Sequence, residues 1–89
     1  MGVVMIPSEI RREHIEAAMD ELDRAGIPPE RLSRKFYVLR NEKRYPPKYV
    51  ISIASRMAGS TELKPRQFHG GAETNKFLQR LGFKIEVAA

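Results

Sequence analysis

Proline and glycine cut this chain into short pieces, and that punctuation limits the fold more than any other feature of the sequence. Gly26-Ile27-Pro28-Pro29 makes one break and Pro46-Pro47 another, while Gly59, Gly70-Gly71 and Gly82 interrupt the remainder. Proline is excluded from helix interiors and central strands, and glycine supplies the backbone angles that end a helix. The longest uninterrupted stretch, Ser8 to Ala25, has room for one helix of about five turns. With 89 residues in all, the expectation is a single compact domain spanning 1–89. Such a domain buries roughly 60–65% of the surface its unfolded chain exposes, enough for a small core. The chain has no cysteine, which excludes disulfides, thiolate zinc sites and cysteine nucleophiles and agrees with a reducing, cytoplasmic setting. Its longest clean apolar run, Val3-Val4-Met5-Ile6, is too short to cross a bilayer, so no membrane partner is expected.

Between the breaks, the residue patterns predict the elements. Ser8 is placed to cap a first helix, with Glu9 and Glu13 near the positive end of its dipole. Ile10, Ile15, Ala18, Met19 and Leu22 recur at helical spacing along one stripe, with His14 beside it, and Gly26 provides the stop. The opposite face is crowded with Glu and Asp, so this helix is expected to cover a sheet and not to lie on DNA. Phe36 to Arg40 suits a strand, Asn41-Glu42 a reversal, and Lys43 to Tyr45 the returning strand. Pro47 fits the first turn of a second helix that runs to about Ala58 and buries Val50, Ile51, Ile53, Ala54 and Met57. Residues 60–68 read as loop. A third helix follows Gly70-Gly71, with Phe77, Leu78 and Leu81 inward, and Phe83 to Val87 alternates like a half-buried strand. The result is an α+β fold of order α-β-β-α-α-β, a three-stranded antiparallel sheet on about three helices. Residues 1–7 are either flexible or, at Val3 to Ile6, a fourth strand.

Charge is distributed unevenly along this framework. Residues 1–30 carry three basic side chains against seven acidic ones, and residues 31–89 carry thirteen against four. A positive region of that strength attracts polyanions, of which nucleic acid is the commonest. This predicts that the cations gather on one side of the folded chain, with the acidic first helix turned away. Arg40, Lys43, Arg44 and Lys48 lie at the hairpin and the start of the second helix, where they suit phosphate contacts, and Tyr49 follows them. Tyr37 and Tyr45 are expected on one face of the hairpin, packed in the core. The second candidate is His69, Gly70, Gly71, Thr74, Asn75 and Lys76: glycines entering a helix leave free amides beside the positive dipole end, and the three later residues add side-chain donors. The Gly-x-x-x-x-Gly-Lys-Ser/Thr spacing of a nucleotide-hydrolysing loop is absent. With only His14 and His69 as histidines, His69 and Glu73 form a two-ligand pair too sparse for a metal centre. No catalytic residues and no cofactor are therefore expected.

Two blocks, Arg44-Tyr45-Pro46-Pro47-Lys48-Tyr49-Val50-Ile51-Ser52 and Phe68-His69-Gly70-Gly71 continuing through Glu73-Thr74-Asn75-Lys76-Phe77-Leu78 to Leu81-Gly82-Phe83, resemble the N-terminal head domain of McrA-like restriction endonucleases. In that family the module precedes parts that read modified DNA and a C-terminal HNH nuclease. The resemblance implies a non-catalytic module of a restriction or defence system, with double-stranded DNA and a nuclease domain or subunit as partners. The chain has no HNH motif, so cleavage does not carry over. Two rival readings are a protein-interaction module that docks a nuclease or subunit through the acidic helix, and an RNA-binding domain, which would use the same electrostatics.

Overall fold

The computed structural model describes residues 6–68 and 71–88. It contains α1 (Arg12–Ala25), β1 (Phe36–Arg40), β2 (Lys43–Tyr45), α2 (Pro47–Met57), α3 (Ala72–Arg80) and β3 (Lys84–Val87), with single 3-10 turns at Pro29–Arg31 and Pro65–Gln67. The order α-β-β-α-α-β and the three-stranded antiparallel sheet agree with the sequence reading; the sheet order is β2-β1-β3. Most of the candidate fourth strand, Val3 to Met5, lies outside the described residues, as do His69 and Gly70.

The first helix starts later than the sequence suggested. Pro7 to Ile10 form a turn closed by Ile10 N–H donating to Pro7 O at 3.3 Å, which buries Ile10 and leaves Ser8 exposed. Arg11 becomes the cap residue, and His14 Nδ1 accepts its N–H at 2.8 Å. The histidine ring thus takes the part that a Glu or Gln plays three residues into a capping box. The helix ends where Gly26 N–H donates to Leu22 O at 2.9 Å.

α2 is the centre of the molecule. Pro47 occupies its first turn, and Pro47, Val50, Ile51, Ser52, Ile53, Ala54 and Ser55 are all buried. Burying each of its three branched aliphatics contributes about 1.5–3 kcal/mol. The stripe of α1 (Ile15, Ala18, Met19 and Leu22) packs chiefly along α2. The expectation that α1 covers the sheet is therefore corrected: a helix apolar on most of its circumference needs cover from another helix as well as from strands. Val38 and Tyr45 from the sheet, Leu63 and Phe68 from the connecting loop, and Leu78 and Phe83 complete the core. Phe77 and Leu81, read as inward, are only half-buried, while Thr74 and Asn75 are buried.

The sheet has one packed face and one open face. Asn41 and Glu42 adopt φ of 51° and 68°, the two-residue mirror turn whose twist matches that of the strands it joins. That turn sets the register: Arg40 opposes Lys43, and Val38 opposes Tyr45. Directly paired residues share a face, so Tyr45 is buried beside Val38 while Tyr37, one position away, points to the open side with Leu39 and Arg44. The two tyrosines are thus on opposite faces, contrary to the sequence expectation; the two-residue period of the strand separates them. Tyr37 Oη instead donates to Ser33 O at 3.1 Å.

Arg12 ties the two ends of the chain together. Its guanidinium donates to Leu81 O at 2.8 Å and lies 4.5 Å over the Phe83 ring. Gly82, between them, has φ of 94°, and a Cβ there would collide with the Arg12 guanidinium. The positive φ favours glycine here, and a Cβ would also push the guanidinium away from Leu81 O.

Candidate nucleic-acid interface

Folding divides the candidate cations into two groups. Those of the hairpin are neutralised within the chain. Arg40, on the packed face of β1, reaches Asp20 at 2.9 Å and Asp23 at 3.2 Å and donates to Glu16 O at 3.1 Å. Lys43 Nζ lies 3.5 Å from Asp23. Arg44, on the open face, pairs with Glu86 across the sheet. Burial is the largest single influence on Arg40 and works against its charge, but hydrogen bonding and charge interaction with Asp20 and Tyr45 together outweigh it, and the guanidinium pKa rises above its ordinary value. Farther along, Arg56 pairs with Glu21. The acidic helix is therefore not turned away from the basic segment, as its charge suggested; it lies against the hairpin and supplies its counter-charges. The physical reason is that the stripe of α1 packs on α2, which leaves Asp20 and Asp23 beside the inner face of β1 and β2.

The second group surrounds a cleft of about 210 Å³ between the starts of α2 and α3 and the segment that follows the Pro29–Arg31 turn. Its walls include Arg31, Leu32, Phe36, Pro47, Lys48 and Asn75. Arg31 donates to Ser52 Oγ at 2.8 Å and lies 4.8 Å over the Tyr49 ring. Lys48 Nζ donates to Pro65 O at 2.6 Å and lies 4.9 Å over the Phe68 ring. Neither cation has a carboxylate partner among the described residues, although Glu30 contributes to the rim. Partial burial first, and the neighbouring Arg31 charge second, lower the Lys48 pKa below the ordinary lysine value. Two cations lining one cleft, neither in an ion pair among the described residues, favour an incoming anion.

The starts of two helices add to that field. Pro46 and Pro47 open α2, so Lys48 and Tyr49 carry the first-turn amides ahead of Val50 N–H, which closes the first helical bond onto Pro46 O at 3.0 Å. Gly71 caps α3 with φ of 71° and ψ of −130°, a conformation reserved to glycine. Asn75 N–H then donates to Gly71 O at 2.9 Å. Free first-turn amides and the dipole make such ends receptive to anions.

Of the residues singled out in the sequence, Lys48, Gly71, Thr74 and Asn75 meet at this cleft. Thr74 is wholly buried there, so it lines the wall from within, whereas Lys76 is exposed on α3. Tyr49 is half-buried beneath Arg31, and Arg40, Lys43 and Arg44 lie elsewhere in carboxylate pairs. Sequence reasoning did not single out Leu32 and Phe36, and counted Arg31 only as one cation of the basic stretch from Arg31 to Lys48. For Leu32 a signal existed, an apolar side chain set among Arg31, Arg34 and Lys35 in an otherwise basic stretch.

A small α+β module with a cationic cleft between two helix starts is the class that this geometry defines. The chain belongs to the ScoMcrA-like N-terminal head-domain family, whose model matches residues 8–87. No curated protein and no solved structure matches it. Among the described residues no helix is long and apolar enough to cross a membrane.

Proposed function

We propose that this head domain is a non-catalytic DNA-binding module of a restriction-type system, and that it grips the phosphate backbone at the cleft between α2 and α3. The observation that carries this reading is the pair Arg31 and Lys48, which line one cleft and pair with no carboxylate among the described residues, beside the first turns of two helices. The hairpin contributes less than its charge count suggests, because Arg40, Lys43 and Arg44 are already paired. Family membership supports a role in a DNA-targeting protein and favours DNA over RNA. A few phosphate contacts give modest, salt-sensitive affinity without sequence preference.

The test is an anisotropy titration of labelled duplex DNA. Lys48→Ala and Arg31→Ala should each weaken binding, whereas Lys43→Ala should leave it nearly unchanged. Wild-type protein that fails to bind duplex at low salt would overturn the reading.

A docking role has one observation in its favour: Val87 is 59% exposed on β3, an edge strand. A dimer or a nuclease complex that is lost on Val87→Lys, with no DNA binding by the isolated module, would establish that role in place of the first.

A further inference from the structure

We infer that the cleft holds one unstacked nucleotide, with Leu32 as the wedge that occupies its place in the duplex. The inference rests on the DNA-binding reading and names what the same site takes. The cleft, about 210 Å³, is below the roughly 300–1,000 Å³ of sites for drug-sized ligands, so it suits a single ring with its phosphate. Its walls combine two kinds of surface. Phe36, Pro46, Pro47 and Pro65 offer flat apolar contact, and Arg31 and Lys48 offer charge. A nucleotide has the same two parts, a ring that stacks and a phosphate that pairs.

Two further observations point to a ring as well as to an anion. Asn75 belongs to the wall and is 8% exposed, and its Oδ1 is buried without a hydrogen-bond partner among the described residues. Leaving a buried acceptor unsatisfied is costly, and a base edge that carries N–H would satisfy it. Asparagine pairs in particular with adenine, which offers a donor and an acceptor side by side. Leu32 is 57% exposed at the same cleft, one of two large apolar residues exposed among the described ones. An exposed leucine flanked by cations is placed to enter a base step, the way apolar wedges part stacked bases.

The experiment compares two labelled duplexes of equal length, one fully paired and one with a single-adenine bulge, titrated with the whole chain. The bulged duplex should bind roughly tenfold more tightly, because its extra base is already unpaired and one stacked base is worth about that factor. Leu32→Gln and Asn75→Leu should bring the ratio close to one. Leu32 is on the surface, so Leu32→Gln tests the idea without threatening the fold; a thermal melt checks Asn75→Leu. Equal affinity of the wild-type protein for both duplexes overturns this inference and leaves phosphate binding intact. Full retention of the preference by Leu32→Gln overturns the wedge. Absence of binding to either duplex removes both this inference and the reading beneath it.

Discussion

Single residues carry much of what is particular to this domain. Glu42 sits at φ of 68° in the hairpin turn, where a residue with a Cβ costs about 1–2 kcal/mol. Glu42→Gly converts the turn to Asn-Gly, the favoured pair for this geometry. We expect it to raise stability by about 1 kcal/mol, seen as a melting temperature some 4–8 °C higher. Lys48 has the opposite character, a charge held where it is slightly disfavoured. Its pKa is lowered by burial and by Arg31, so the folded chain releases this proton at lower pH than the unfolded chain does. In that window the unfolded state binds more protons, and stability rises with pH, up to the ordinary lysine value. Binding runs the other way, since neutral Lys48 no longer attracts phosphate. DNA affinity of the wild-type chain should fall as the pH rises toward the ordinary lysine value, while Lys48→Arg, charged throughout, should show a smaller decline. Parallel pH profiles for the two proteins would count against Lys48 as the contact.

At the scale of elements, the junction between α1 and the hairpin is held by polar contacts centred on Asp23. Its carboxylate accepts from the buried Tyr45 hydroxyl at 3.1 and 3.2 Å and pairs with Arg40 and Lys43. Asp23→Ala leaves the tyrosine hydroxyl without its partner, while the same arm of Arg40 keeps Asp20, and should cost about 1–3 kcal/mol in a urea melt. Tyr45→Phe, which removes a donor but leaves Asp23 its cations, should cost less. A larger loss for Tyr45→Phe than for Asp23→Ala would show that the tyrosine hydroxyl does more than bond to Asp23, and that the carboxylate is not the centre of this junction. The element boundaries themselves were legible in the sequence wherever a local signal marked them. Pro47 starts α2, Asn41-Glu42 turns the hairpin, and β1 and β2 fall where the aromatic and basic runs placed them. The start of α1 was not legible, because Ile10 is buried by a turn that competes with the helix and Arg11 has no side chain that marks a cap.

For the whole molecule, the decisive quantity is how much of the positive charge remains free after folding. Salt reports it directly. If the cleft makes two or three phosphate contacts, log K should fall with log salt at a slope near −2 to −3, and Lys48→Ala should reduce that slope by about one. A slope of −6 or steeper would mean that the hairpin cations leave their carboxylates and join the interface. The candidate site was half legible for the same reason. Lys48 and the glycine-led start of α3 were found from their residue types, because a cation near a helix start and a glycine before one are local patterns. Leu32 was missed and Arg31 was legible only as one of several cations, because nothing local shows that the segment after Pro29 folds back against the starts of α2 and α3.

Taken alone, the amino-acid order determined the kind and sequence of the elements, since proline, glycine, turn residues and apolar periodicity act over a few neighbouring positions. It also determined that the chain carries an excess of positive charge. Which of those charges can meet a ligand was decided only by the tertiary structure. Arg40 finds Asp20 and Asp23 from another element, and Arg44 finds Glu86 from the far side of the sheet. Ion pairing depends on distance in space, and distance in space is set by how the helices pack.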